Sequence, residues 1–177
     1  MKVISCYRSL LGLLYVIYGA LQVYNGMLSW LLGREKALQL GVKMGNIYIP
    51  NTFPDPFSGL SLITVGLLFL LSFYYDLRGS RAYRGYLLTA WLLSITLLML
   101  NVIEIAANVF DAYYPLLYGN EPNFEWSLAT DGWGIAPHLL LGILAAPMYF
   151  SLKDLINELM PGRLFLRSKK SLNRSGI

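Results

Sequence analysis

Cysteine occurs once, at Cys6, and histidine once, at His138. A single thiol excludes a disulfide within the chain, and without a CxxC pair there is no ready redox or thiolate–metal site. One imidazole is too few for a catalytic zinc centre, which takes three protein ligands, and no H-E-x-x-H is present. Walker A, G-x-S-x-G and G-x-G-x-x-G are missing too. No residue is therefore nominated as catalytic or as a metal ligand, and no motif names a cofactor. Charge is also scarce: 14% of the 177 residues are charged and 56% are hydrophobic. That balance excludes an ordinary soluble domain. The formal charge of +4 lies beside hydrophobic segments rather than in a polar domain interleaved with aromatics, which argues against nucleic acid.

What is there in quantity is apolar sequence. Four stretches, about 10–32, 59–75, 86–110 and 135–152, approach the roughly 20 helical residues that cross a hydrocarbon core. The expected fold is an all-α polytopic integral membrane protein, a bundle of four transmembrane helices within residues 1–160. Outer loops are expected at 33–58 and 111–134. The opening residues imitate a signal peptide but show no small-x-small cleavage site, so they are read as the first span. Thirteen Tyr and four Trp suit the headgroup level of a bilayer. Lys and Arg set the orientation. With the N-terminus cytoplasmic, eleven of the fourteen fall inside (Lys2, Arg8, Arg78, Arg81, Arg84, Lys153, Arg163, Arg167, Lys169, Lys170, Arg174) and three fall outside. Both termini are thus expected in the cytoplasm, with the plasma membrane of a prokaryote as the location. The basic tail 161–177 is expected to meet lipid headgroups through Arg163, Arg167, Lys169, Lys170 and Arg174.

"NVIEIAANVF", 101–110, places Asn101, Glu104 and Asn108 in the third span. At 100° per residue they share about 60° of one helix face, a stripe that should face protein rather than lipid. In the first span Tyr15, Tyr18, Gln22, Asn25 and Ser29 follow steps of three and four and form a second stripe. The fourth span adds His138. Gln22, Asn25, Asn101, Glu104, Asn108 and His138 are therefore expected to gather as one intramembrane cluster, with Glu104 touching a polar residue of another span. Interhelical glue is one reading, at about 0.6 kcal/mol per contact; a ligand pocket is the other, since ionisable residues within a membrane default to that hypothesis. Gly12 and Gly19, with Gly142, Ala145 and Ala146, permit close backbone approach, and Pro147 should bend the fourth span. In the second outer loop Tyr113, Tyr114, Phe124, Trp126 and Trp133 are rings suited to docking a partner.

The stretch "RSLLGLLYVIYGALQVYNG" followed by "GLSLITVGLLFLL" resembles the DoxX-like family of four-span membrane proteins, with Arg8, Gly12, Gly19 and Gln22 at the matching positions. That resemblance implies an accessory respiratory role. The layout of spans, the basic turn "RGSRAYRG" and "APHLLLGILAAP" are similar to the EXPERA group of sigma-2-type sterol binders, although the acidic residue of that group's second span is missing. Two functions follow as expectations. One is a small non-catalytic subunit of a larger membrane complex, respiratory or quinone-linked, with other membrane subunits as partners. The alternative is a stand-alone binder or transporter of a lipid, quinone or sterol-like molecule at the Glu104 cluster.

Overall fold

The computed structural model describes residues 2–33, 42–44, 47–49, 55–119, 121 and 136–159. Helix α1 runs Lys2–Leu32, α2 Pro56–Leu77, α3 Tyr83–Tyr113, α4 Pro137–Ala145 and α5 Tyr149–Leu159. Between α1 and α2 a short antiparallel hairpin pairs β1 (Val42–Met44) with β2 (Ile47–Ile49), Lys43 opposite Tyr48. Four segments are long and apolar enough to cross a membrane: Ile4–Leu32, Pro56–Leu77, Tyr83–Tyr118 and Pro137–Asn157. The chain is an all-α polytopic membrane protein.

Local chemistry sets the helix limits. Asp55 caps α2 by accepting from the Phe57 N–H at 3.0 Å, with Pro56 in the first position, where a missing N–H costs nothing. α2 stops at Gly79, whose φ of 66° is left-handed, and the Gly79 N–H returns to the Asp76 carbonyl at 3.0 Å. The tight turn that follows reverses the chain into α3, and Tyr75 stacks on Tyr86 across it at 5.1 Å. α3 continues into a 3-10 turn, Tyr114–Tyr118, with Pro115 near its start. Pro147 lies in a second 3-10 turn, Ala146–Met148, because a proline there cannot make the next α-helical hydrogen bond. Two compact units divide at this point, Met1–Ala146 and Pro147–Ile177.

The first unit is organised by a seam between α1 and α2. Gly12, Gly19 and Gly26 recur every seven residues on α1, and Gly59 and Gly66 do so on α2. The backbones touch there: a Cβ on Gly19 would sit 2.7 Å from the Gly59 carbonyl oxygen, and one on Gly66 would sit 2.7 Å from that of Gly12. In lipid, where no hydrophobic effect drives helices together, such approach maximises dispersion contact. Leu11, Tyr15, Leu62, Val65 and Phe69 are buried within the same bundle. On α4, Gly142 plays a similar part against Leu98 and Ser94 of α3. Gly59→Val is expected to lower bundle stability by about 1–3 kcal/mol through overpacking against a backbone that cannot yield. Gly85→Val, where a Cβ meets nothing within 4 Å, is the control. Thermal melts in detergent compare the two, and equal melting temperatures would disprove the seam.

Candidate functional site: an intramembrane polar chamber

The polar stripe of α1 faces inward. Tyr15, Gln22, Asn25 and Ser29 are buried, in phase with Leu11, Gly12, Gly19 and Gly26, while Tyr18 is half-buried at the edge of that face. On α3, Asn101 is buried and Glu104 and Asn108 are half-buried, as is His138 on α4. A face that is polar and buried in a membrane helix requires partners from other helices.

Depth follows from the contacts that fix register. α1 and α2 are antiparallel along the glycine seam, and α2 and α3 are antiparallel across their short turn, so α1 and α3 run in one direction. The Tyr15 hydroxyl comes near Ser94 of α3 without reaching hydrogen-bond geometry. About two turns further along both helices, the same advance brings Gln22 level with Asn101. α4 descends against α3 from its Gly142 contact with Leu98 and Ser94. His138, about one turn before Gly142, thereby reaches the depth of Asn101 as well. Asp55 at the start of α2 lies within electrostatic reach of His138.

The hydrogen bonding at this level is incomplete. The Asn101 side-chain amide donates to Glu104 Oε2 at 3.3 Å, an i,i+3 pair along one helix face. This is the only hydrogen bond of Glu104 among the described residues, and it runs within α3. Asn25 and Asn108 are both engaged. Three atoms at one depth are not: Gln22 Oε1, Asn101 Oδ1 and His138 Nδ1 are buried with no hydrogen-bond partner. Gln22 and Asn101 each retain 1% exposure. Buried polar atoms are normally paired, and these three orphans at one depth define a polar chamber by their unmet hydrogen bonds. No group of three His, Cys, Asp or Glu gathers among the described residues; the open atoms belong to amides and an imidazole.

Sequence reasoning missed a second polar site at the turn end of the bundle. There it read Arg8 only as a topology charge and a family position, and it did not single out Asp76. Arg8, 4% exposed, makes an ion pair with Asp76 and donates to Ser72 Oγ at 3.2 Å. Ser5 also donates to Asp76 at 2.9 Å, Ser72 donates to the Tyr83 carbonyl at 3.1 Å, and the guanidinium lies over the Tyr83 ring. Arg8 falls in phase with the buried face Leu11, Gly12 and Tyr15, and that is the signal that could have revealed it.

Of the rings expected to dock a partner, Tyr113 and Tyr114 are exposed near the end of the third span, where the Tyr114 and Tyr118 hydroxyls meet at 2.8 Å. Phe124, Trp126 and Trp133 lie outside the described residues, as do Arg163, Arg167, Lys169, Lys170 and Arg174.

One family model, described as the MJ0565 integral membrane domain, matches residues 1–154. No curated protein and no solved structure matches. The match establishes a membrane-protein family; it is not a match to the DoxX-like or EXPERA groups.

Proposed function

Because the chain belongs to the MJ0565 integral membrane domain family, and so works within a bilayer, we propose that it binds a hydroxyl-bearing amphiphile in the chamber between α1, α3 and α4. The observation that carries this reading is the trio of unpartnered atoms on Gln22, Asn101 and His138. Asn101, whose amide N–H donates to Glu104, presents an open acceptor, while the Gln22 amide and the His138 imidazole can each turn a donor or an acceptor to a ligand. A hydroxyl supplies both. A quinol, a sterol-like alcohol or a lipid alcohol has this group on an apolar body that can remain among the helices. Glu104, held by Asn101, offers a further acceptor at the chamber edge. In this reading the protein is a binder or carrier in the plasma membrane of a prokaryote with both termini cytoplasmic, an orientation that the excess of Lys and Arg near the termini and the α2–α3 turn supports.

A second reading, an accessory subunit of a respiratory or quinone-linked complex, draws support from a different feature. Tyr113, Tyr114, Leu117 and Tyr118 form an exposed apolar and aromatic patch where the third span ends, the composition of an anchor for another membrane protein.

Purification of the full chain in mild detergent, with mass spectrometry of everything that co-migrates, separates the two. The chamber predicts a small hydroxylated amphiphile retained by the wild type and lost from Asn101→Leu, with the bundle still folded. Recovery of protein subunits, with an unchanged small-molecule content in Asn101→Leu, would replace the binder by the subunit.

A further inference from the structure

A groove of about 590 Å³ opens between α1 and α2 at the turn end, away from the chamber, with Ser9, Leu10, Leu13, Phe73, Asp76 and Leu77 among its walls. We propose that it is a binding site for a membrane amphiphile with a primary-ammonium headgroup.

Asp76 sets the headgroup chemistry of the groove. Both of its side-chain hydrogen bonds, from Ser5 and from Arg8, arrive at Oδ2. Oδ1 accepts none among the described residues, although the carboxylate keeps 24% of its side-chain surface open. A groove-lining carboxylate with one oxygen that accepts no hydrogen bond is a charge-assisted acceptor for a further N–H donor, and an ammonium beside it fills the lone pairs that Ser5 and Arg8 leave open. The polarity of the walls then follows the order of groups in a lipid. Asp76 stands near the end of α2, where a headgroup lies. Ser9, about one turn further into the bundle on α1, is half-buried, and its hydroxyl has no hydrogen bond among the described residues; it can donate to an ester or phosphate oxygen. Leu10, Leu13 and Phe73 provide the hydrocarbon wall beyond it. Arg8 is consumed by Asp76 and Ser72 and is not a groove wall, and no other cation lines the groove among the described residues to favour an anionic headgroup.

Cys6, exposed and lining the same groove, is the chain's single thiol and a built-in reporter. The test uses the full chain in mild detergent, titrated with phosphatidylethanolamine, phosphatidylcholine or phosphatidylglycerol of identical acyl chains. Binding is read by native mass spectrometry and by the rate of Cys6 modification with a maleimide. Phosphatidylethanolamine should bind about tenfold more tightly than either competitor, because trimethylation removes the N–H donors and glycerol removes the charge. It should also slow Cys6 modification. Asp76→Asn should bring the three lipids within about twofold of one another. Leu13→Trp, which leaves the ion pair intact and fills the groove, should weaken all three. Equal binding of phosphatidylethanolamine and phosphatidylcholine, a preference that survives Asp76→Asn, or Cys6 modification unchanged at saturating lipid would each overturn the proposal. Gln22 and Asn101 lie away from this groove, so failure of the chamber leaves these results unaltered.

Discussion

Arg8→Met is expected to destabilise the bundle by about 3 kcal/mol, while the double variant Arg8→Met with Asp76→Leu should recover most of that loss. The asymmetry comes from what each change leaves behind. Removing the guanidinium strands the Asp76 carboxylate within a membrane span and deprives Ser72 of a donor that ties α1 to α2. Removing both charges leaves apolar chains of similar volume where two ions had to be desolvated, and buried pairs replaced in this way are often neutral or more stable. The lower end of the 3–5 kcal/mol range applies, because Asp76 retains 24% side-chain exposure and can draw on headgroup water. Unfolding titrations with a denaturing detergent measure both variants against wild type. A loss below about 1 kcal/mol in Arg8→Met would mean that the pair behaves like a surface contact.

Gln22→Met is expected to work in the opposite direction, raising the stability of the empty bundle by about 1–2 kcal/mol while abolishing retention of the chamber ligand. A buried acceptor without a partner costs about 1–3 kcal/mol, and methionine matches glutamine in length without the amide. Gln22 is 1% exposed and its Oε1 is unpaired, so the substitution removes an unmet polar group rather than a hydrogen bond. Melting temperature and ligand content of the purified variant give the two readouts. A lower melting temperature with ligand retained would identify Gln22 as paired interhelical glue. Higher stability with binding lost is the behaviour of a site whose polarity serves a ligand at the expense of the fold.

How much of this was visible in the sequence differs from feature to feature. The four spans were legible because hydrocarbon imposes a length and composition that few other structures share. The stripe Tyr15, Gln22, Asn25 and Ser29 was legible for the same reason as any helical face: its spacing repeats locally. Gly12 and Gly19 could be named as points of close approach, yet their partners Gly59 and Gly66 lie on another helix, and only the shared seven-residue spacing links them. Arg8 and Asp76 are 68 positions apart, and no periodicity joins residues on different helices. The hairpin 42–49 was read as loop, although the Gly45-Asn46 pair between two short β-prone runs is a hairpin signal. The open valences of Gln22, Asn101 and His138 could not be read at all, since a missing hydrogen bond is a property of three helices together.

The ion pair also bears on the order in which the chain enters its membrane. A ribosome delivers α1 first, with Arg8, Gln22, Asn25 and Ser29 along one face, while Asp76 is still many residues from being made. Released alone into lipid, α1 would leave its guanidinium unpaired about one turn inside the span, at a cost below the roughly 2.5–3.5 kcal/mol that insertion scales assign to a helix centre. α2 brings both the neutralising carboxylate and the glycines that fit those of α1. The energetically consistent unit of insertion is therefore the α1–α2 hairpin, with α1 held in protein or aqueous surroundings until its partner emerges.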